Sequence, residues 1–158
     1  MTDALSEFAH SHDRLGALAV DLRRTVQATR ADPKGFRAWG TLVEQLQGLR
    51  DELLLHFAKE EEGLFPFVRA SVPAKADAVN RMERAHDAIC GTVVRLAHLV
   101  SRPPLDAATV LPSLHALHER FELAYAEHAR EETELFGDLA PRLDDRHRAE
   151  LLELVRGL

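Results

Sequence analysis

The chain has one cysteine, no long apolar run and no stretch dominated by lysine and arginine. Each absence removes a class of protein. A lone Cys90 cannot form an internal disulfide. No apolar segment approaches the roughly 20 residues that a membrane-spanning helix needs. The opening "MTDALSEFAH" has neither the basic start nor the apolar stretch of a secretion signal, so a reducing cytoplasm is the expected setting. Lysine and arginine number 20 against 26 acidic residues, giving a formal net charge of -6. The two signs are interleaved, which leaves no basic stripe for the phosphates of a nucleic acid. What is left is an ordinary globular composition, 46% hydrophobic and 29% charged. The length suits one domain, expected to span residues 1–158.

Turn residues are also sparse, and their placement is regular. The prolines concentrate in "ADPKG" (31–35), "FPFVRASVPA" (65–74), "SRPPLD" (101–106) and "LAPRLDD" (139–145). Between these breaks no strand-like alternation occurs, and apolar residues recur in steps of three and four. The first stripe reads Leu5, Phe8, His12, Leu15, Ala19, Leu22, Val26 and the second Leu42, Leu46, Leu49, Leu53, His56, Glu60, Leu64. The third reads Val79, Met82, His86, Ile89, Val93, Leu96, Val100; the fourth reads Leu111, Leu114, His118, Phe121, Tyr125, His128, Glu132, Leu135. Four amphipathic helices joined by short turns predict an all-α fold, an antiparallel up-down four-helix bundle. "DDRHRAELLELVRGL" predicts a short C-terminal fifth helix capped by Asp144 or Asp145.

Each stripe is broken by histidine, and the second and fourth carry a glutamate one turn later. Antiparallel neighbours face each other at positions equally far from their connecting turn. His12 and His56 are equidistant from Lys34, inside "ADPKG", and His56 and His86 from Ser71, inside "FPFVRASVPA". His86 and His128 are equidistant from Ala107, just past "SRPPLD", which requires a fourth helix starting near Pro112. His118 paired with His86 centres on Arg102, so "HERFE" (118–122) rivals "HAREE" (128–132).

Polar residues gathered at one level of a core require compensation, because a buried carboxylate or imidazole without a partner costs several kcal/mol. A metal supplies it. Residues four apart share a helix face, so His56 with Glu60 and His128 with Glu132 can each ligate one centre or adjacent centres. Imidazole and carboxylate suit iron, manganese or zinc, and the absence of thiolate pairs disfavours a structural zinc knot or an iron–sulfur cluster. Iron is the favoured choice, ahead of manganese or zinc.

As a set, "SHDRL" (11–15), "HFAKEEEGLFP" (56–66), "ERAHDAI" (83–89) and "HAREETELF" (128–136) resemble the four helix motifs of hemerythrin-like HHE domains. The resemblance runs from about residue 5 to 137. It implies a non-heme di-iron site held by His12, His56, His86 and His128, with Glu60 and Glu132 bridging the metals. Oxygen-carrying hemerythrins have a further histidine one turn after the first on the third helix, where this chain has Cys90. That departure implies oxidation or turnover in place of reversible oxygen carriage. In the fourth motif the Leu-Phe landmark comes one residue early relative to "HFAKEEEGLFP", so Glu131 competes with Glu132; the three-four rhythm favours Glu132.

Other residues have plainer readings beside the functional ones. Cys90 is a small buried thiol or a soft extra ligand. Tyr125 is an interior tyrosine or a donor to something bound at the metals. Glu61, Glu62, Glu131 and Glu134 are solvated acids or acids that orient ligand histidines. His10, His98 and His147 are expected at the surface. The function expected is a di-iron protein that binds or consumes peroxide, oxygen or nitric oxide in oxidative or nitrosative stress defence or sensing, with catalase- or peroxidase-like activity. The alternatives are a module that binds or senses iron or oxygen without turnover and a purely structural bundle.

Overall fold

A computed structural model of the protein describes residues 4–32, 37–102 and 107–158. Helix α1 spans Ala4–Ala31. Helix α2 (Trp39–Lys59) continues without a break through a π-helical turn (Glu60–Leu64) into α3 (Phe65–Ser71). Helices α4 (Ala76–Val100), α5 (Ala107–Leu139) and α6 (Asp145–Arg156) follow. Among the described residues there is no strand. Helix α1 packs against α2 and α5, and α4 packs against the same two, so the four long helices form the sides of a square with alternating direction. This is the expected antiparallel bundle.

The apolar stripes fold inward because burying each leucine-sized side chain is worth roughly 1.5–3 kcal/mol, more than helix propensity supplies. They build two separate apolar clusters. One contains Leu15, Leu22, Leu46, Leu53, Ile89 and Phe121, and the other contains Phe8, Leu64, Phe65, Met82, Leu135 and Leu151. His12, His56, Glu60, His86, His128 and Glu132 of the four stripes lie between them. The first cluster is closed at its end by Trp39, whose indole N–H donates to the Val100 carbonyl at 3.1 Å. The second is closed by α6, which lies against α1 and the π turn. Asp144 caps α6 by accepting from the His147 backbone N–H at 2.8 Å.

Three local expectations change. The break read at "FPFVRASVPA" is shorter than its prolines suggest: the helix runs through Pro66 to Ser71, and the chain turns only over Pro73–Lys75, with the Lys75 N–H donating to Val72 O at 2.9 Å. Pro66 is tolerated because it stands at the first turn of α3, where the hydrogen-bond ladder is changing from π to α spacing. The fourth helix begins at Ala107, not near Pro112, and Pro112 sits within it on the exposed face. Most of the "ADPKG" and "SRPPLD" turns lies outside the described residues.

The π turn is the third difference. Phe65 N–H reaches back five residues to Glu60 O, so the helix absorbs one extra residue here. Gly63 is buried in this turn, and a Cβ on it would lie 3.4 Å from Val155 Cγ2 and 3.6 Å from Leu158 Cδ1. An alanine fits at those distances and a leucine does not. Gly63→Leu is therefore expected to lower the unfolding free energy by about 1–3 kcal/mol through overpacking against α6, with Gly63→Ala close to neutral, as measured by urea denaturation. Equal stability of both variants would show that α6 does not press on the turn.

Candidate metal centre

Four helices each deliver one histidine to the layer between the two apolar clusters. His56 lies on the inner face of α2, and Glu60 opens the π turn one turn later. Helix α5 brings His128 and Glu132 opposite them, α4 brings His86, and α1 brings His12. His56, Glu60, His86, His128 and Glu132 are all buried. His12 alone keeps 20% of its side chain exposed. Ligand atoms of His56, Glu60, His128 and Glu132 all lie within 4.8 Å of one another. Glu60 Oε2 is 2.9 Å from His86 Nε2, 3.6 Å from His56 Nε2 and 3.9 Å from His128 Nε2. Glu132 Oε2 is 3.6 Å from His56 Nε2 and 3.5 Å from His128 Nε2, and it contacts His12 Nε2 directly.

These atoms are brought together without being satisfied. Among the described residues, His56 Nε2, His86 Nε2, both His128 nitrogens, both Glu60 oxygens and Glu132 Oε1 are buried with no hydrogen-bond partner. Such groups are rare in folded proteins, and several converging on one point require something that accepts lone pairs from all of them. A cation does this, and a donor set of nitrogens and oxygens fits one.

Electrostatics prepare the same donors. Burial lowers the His86 imidazole to about 4, helped by the neighbouring His56. It lowers His128 to about 3 against the pull of Glu132. Both rings are neutral at pH 7, the form that offers a lone pair. Burial, then the Glu132 charge, pushes the Glu60 carboxyl well above the usual carboxylate range. Burial pushes Glu132 up as well, but the hydrogen bond with His12 and the nearby His56 ring outweigh it and hold that carboxyl below its usual range. Two carboxylates this close cannot both be ionised without a positive charge between them.

Neighbouring groups aim the rings. The Glu61 carboxylate accepts from His86 Nδ1–H at 2.7 Å, which leaves Nε2 facing inward with its lone pair. Ser11 Oγ lies 3.0 Å from His56 Nδ1 and does the same for His56. Phe57 stacks on His86 at 3.7 Å with only 10° between the planes and sets its edge to His128 at 5.3 Å. Of the acids expected to be solvated or orienting, Glu61 orients a ring, while Glu62 and Glu134 are exposed. Ser11 is not signalled by the stripes, because it sits one residue off the inward face of α1.

The π turn explains the offset between the two His-x-x-x-Glu motifs. One extra residue between Glu60 and Phe65 puts the Leu-Phe landmark one place later in the second helix than in the fourth, where the helix is regular. Glu132 is fully buried, whereas Glu131 is half-buried at the flank with its carboxylate 3.6 Å from Arg81. His118 stands apart from the layer: its Nε2 is 3.8 Å from Glu122, whose carboxylate is bound by Arg23. His115 pairs with Thr29 at 2.9 Å. Cys90 is half-buried beside a small apolar cavity with Leu53, Leu54, Val93 and Val94, and burial raises its thiol. Tyr125 is half-buried and stacks on Phe121 at 5.6 Å; burial, then the charges of Glu132 and Glu60, raises its phenol, so it stays protonated. His10 and His98 are exposed, and His147 is half-buried against Asp144 at 2.9 Å.

The sequence model for the hemerythrin HHE cation-binding domain matches residues 3–154. The chain belongs to that family. No curated protein and no solved structure is significantly similar to it. This hemerythrin-family chain thus pairs a cation-binding fold with a buried histidine–glutamate group of the kind that holds a metal. No described helix is long and apolar enough to cross a membrane.

The lowered histidines make the metal-free protein sensitive to acid. Below their ordinary value of 6.5, His86 and His128 take up protons in the unfolded chain but not in the folded one, so stability falls as pH falls. Glu60 acts in the opposite direction, because its raised carboxyl keeps a proton that the unfolded chain releases above 4.5. Two imidazoles against one carboxyl leave a net loss. The thermal midpoint of metal-free protein is expected to fall steadily from pH 6.5 to about 4, where the buried His86 ring itself takes up its proton. A midpoint that rose over this range would mean that Glu60 dominates.

Proposed function

We propose that this chain is a non-heme di-iron protein that reacts with a small oxidant, peroxide, oxygen or nitric oxide, in oxidative or nitrosative stress defence or sensing. The observation that carries the reading is the set of buried, unpartnered nitrogens and oxygens converging from four helices. His12, His56, His86 and His128 would hold the irons, and Glu60 and Glu132 would lie between them. Bound iron supplies one-electron chemistry and positions where a small oxidant can bind.

The chain's own residues set the conditions for that chemistry. Neutral His86 and His128 present lone pairs without first losing a proton. Phe8 and Phe57 shield the layer from its two sides and exclude bulk water, which favours small uncharged molecules over anions. Tyr125, held protonated, can donate a hydrogen bond toward an oxygen atom arriving from the His12 side. Cys90 is turned to its own apolar cavity and does not replace the additional histidine of an oxygen carrier. The centre therefore has fewer protein ligands than a carrier, which supports consumption of the oxidant over reversible storage.

Metal analysis tests the site. Protein expressed in iron-replete medium is expected to hold about two irons per chain, and His56→Ala or His86→Ala to lose about one or more. Glu132→Ala should reduce the content more than Glu131→Ala. No transition metal in the wild type would end the proposal, and a reversed glutamate ranking would move the ligand to the flank of α5.

Reactivity separates turnover from simple binding. The reduced, iron-loaded protein exposed to air is expected to reach its oxidised spectrum within minutes and not to regain the reduced one when oxygen is removed. Repeated oxygen evolution from added hydrogen peroxide would mark a catalyst. A single spectral change without turnover would mark a sensing or binding module, and repeated reversible oxygen uptake would overturn the oxidant reading.

A further inference from the structure

The layer is sealed on three of its four sides. His56, His86 and His128 and both glutamates are at most 2% exposed, and only His12 is open to solvent. The opening is a cleft of about 460 Å³ between α1 and α5, lined by Ala9, His12, Gly16, Tyr125, Ala129, Thr133 and Phe136. His12 and Tyr125 face it with polar groups, and beside the Phe136 ring the small residues Ala9, Gly16 and Ala129 leave part of its wall open. Asp13, exposed on α1, also lines it and brings a carboxylate to the cleft. Small walls are what admit a molecule of a few atoms. A Cβ built on Gly16 meets nothing within 4 Å, so a larger side chain there would extend into the cleft without striking a packed neighbour.

We infer that the α1–α5 cleft is the door through which a small uncharged oxidant reaches the centre, with Gly16 setting its width and His12 and Tyr125 meeting the molecule first. The inference rests on the proposed di-iron reading, but the door itself can be probed without iron. Water and peroxide pass the same polar groups, whereas an anion meets the Asp13 carboxylate. Gly16 and the small alanines offer no side-chain ligand to a metal, so a change at Gly16 acts on passage.

The experiment uses full-length protein and Gly16→Leu, with Gly91→Leu as the control, since Gly91 is exposed on α4 and a Cβ there also meets nothing within 4 Å. In metal-free protein, diethyl pyrocarbonate followed by peptide mapping should modify His12 and spare His56, His86 and His128. Gly16→Leu should slow modification of His12 by about tenfold, and Gly91→Leu should leave it unchanged. In iron-loaded protein, Gly16→Leu should keep its iron content and slow the stopped-flow reaction with hydrogen peroxide by a similar factor. If leucine alters the iron content, Gly16→Val is the milder plug for both arms. Protection of His12 with an unchanged peroxide rate would overturn the door and leave the di-iron reading intact. Equal modification of His12 in wild type and plug would overturn it as well. An iron-loaded wild type that does not react with peroxide, nitric oxide or oxygen would end the functional reading and this inference together.

Discussion

Two glutamates, Glu60 and Glu132, face each other in the middle of a helical bundle, fully buried and ringed by imidazoles. Everything else about this layer follows from the impossibility of leaving both ionised without a cation. One carboxyl is driven toward its protonated form while the other is held charged by His12 and His56. Two histidines lose their protons to burial. Aromatic rings fix the imidazole planes, and Glu61 and Ser11 fix which nitrogen looks inward. The apolar clusters on either side then supply the folding energy that holds so costly a layer together.

Much of this is legible in the sequence because the four stripes are written in side chains that only a helix places on one side. The turns fall where antiparallel neighbours need them, so His12, His56 and His86 can be set level by counting, whereas counting leaves His118 and His128 as rivals on the fourth helix. The fold class and the C-terminal helix follow from the same reading, which narrows its cap to Asp144 or Asp145; the cap is Asp144.

What the residues do not reveal has a common cause: it depends on hydrogen bonds in the main chain, not on side-chain pattern. The π turn leaves no periodic mark in "EEEGL", where three acids in a row fit either spacing, and so Glu131 and Glu132 compete on paper. Pro66 and Pro112 read as breaks, yet one sits where the ladder changes pitch and the other on an exposed face. Ser11 is invisible for a different reason. It reaches His56 across a helix–helix contact, and nothing in its own segment points to that partner.

The division of the interior has a consequence for how the molecule comes apart. The two apolar clusters meet across a polar layer, one end closed by Trp39 and the other by α6. With a cation in place, the layer is a rivet through all four helices, and opening either end strains the other. Without it, the same layer is the weakest plane in the bundle, and each end can open on its own account. Occupancy of the centre would then govern cooperativity as well as stability: a single unfolding unit when filled, and two loosely joined halves when empty.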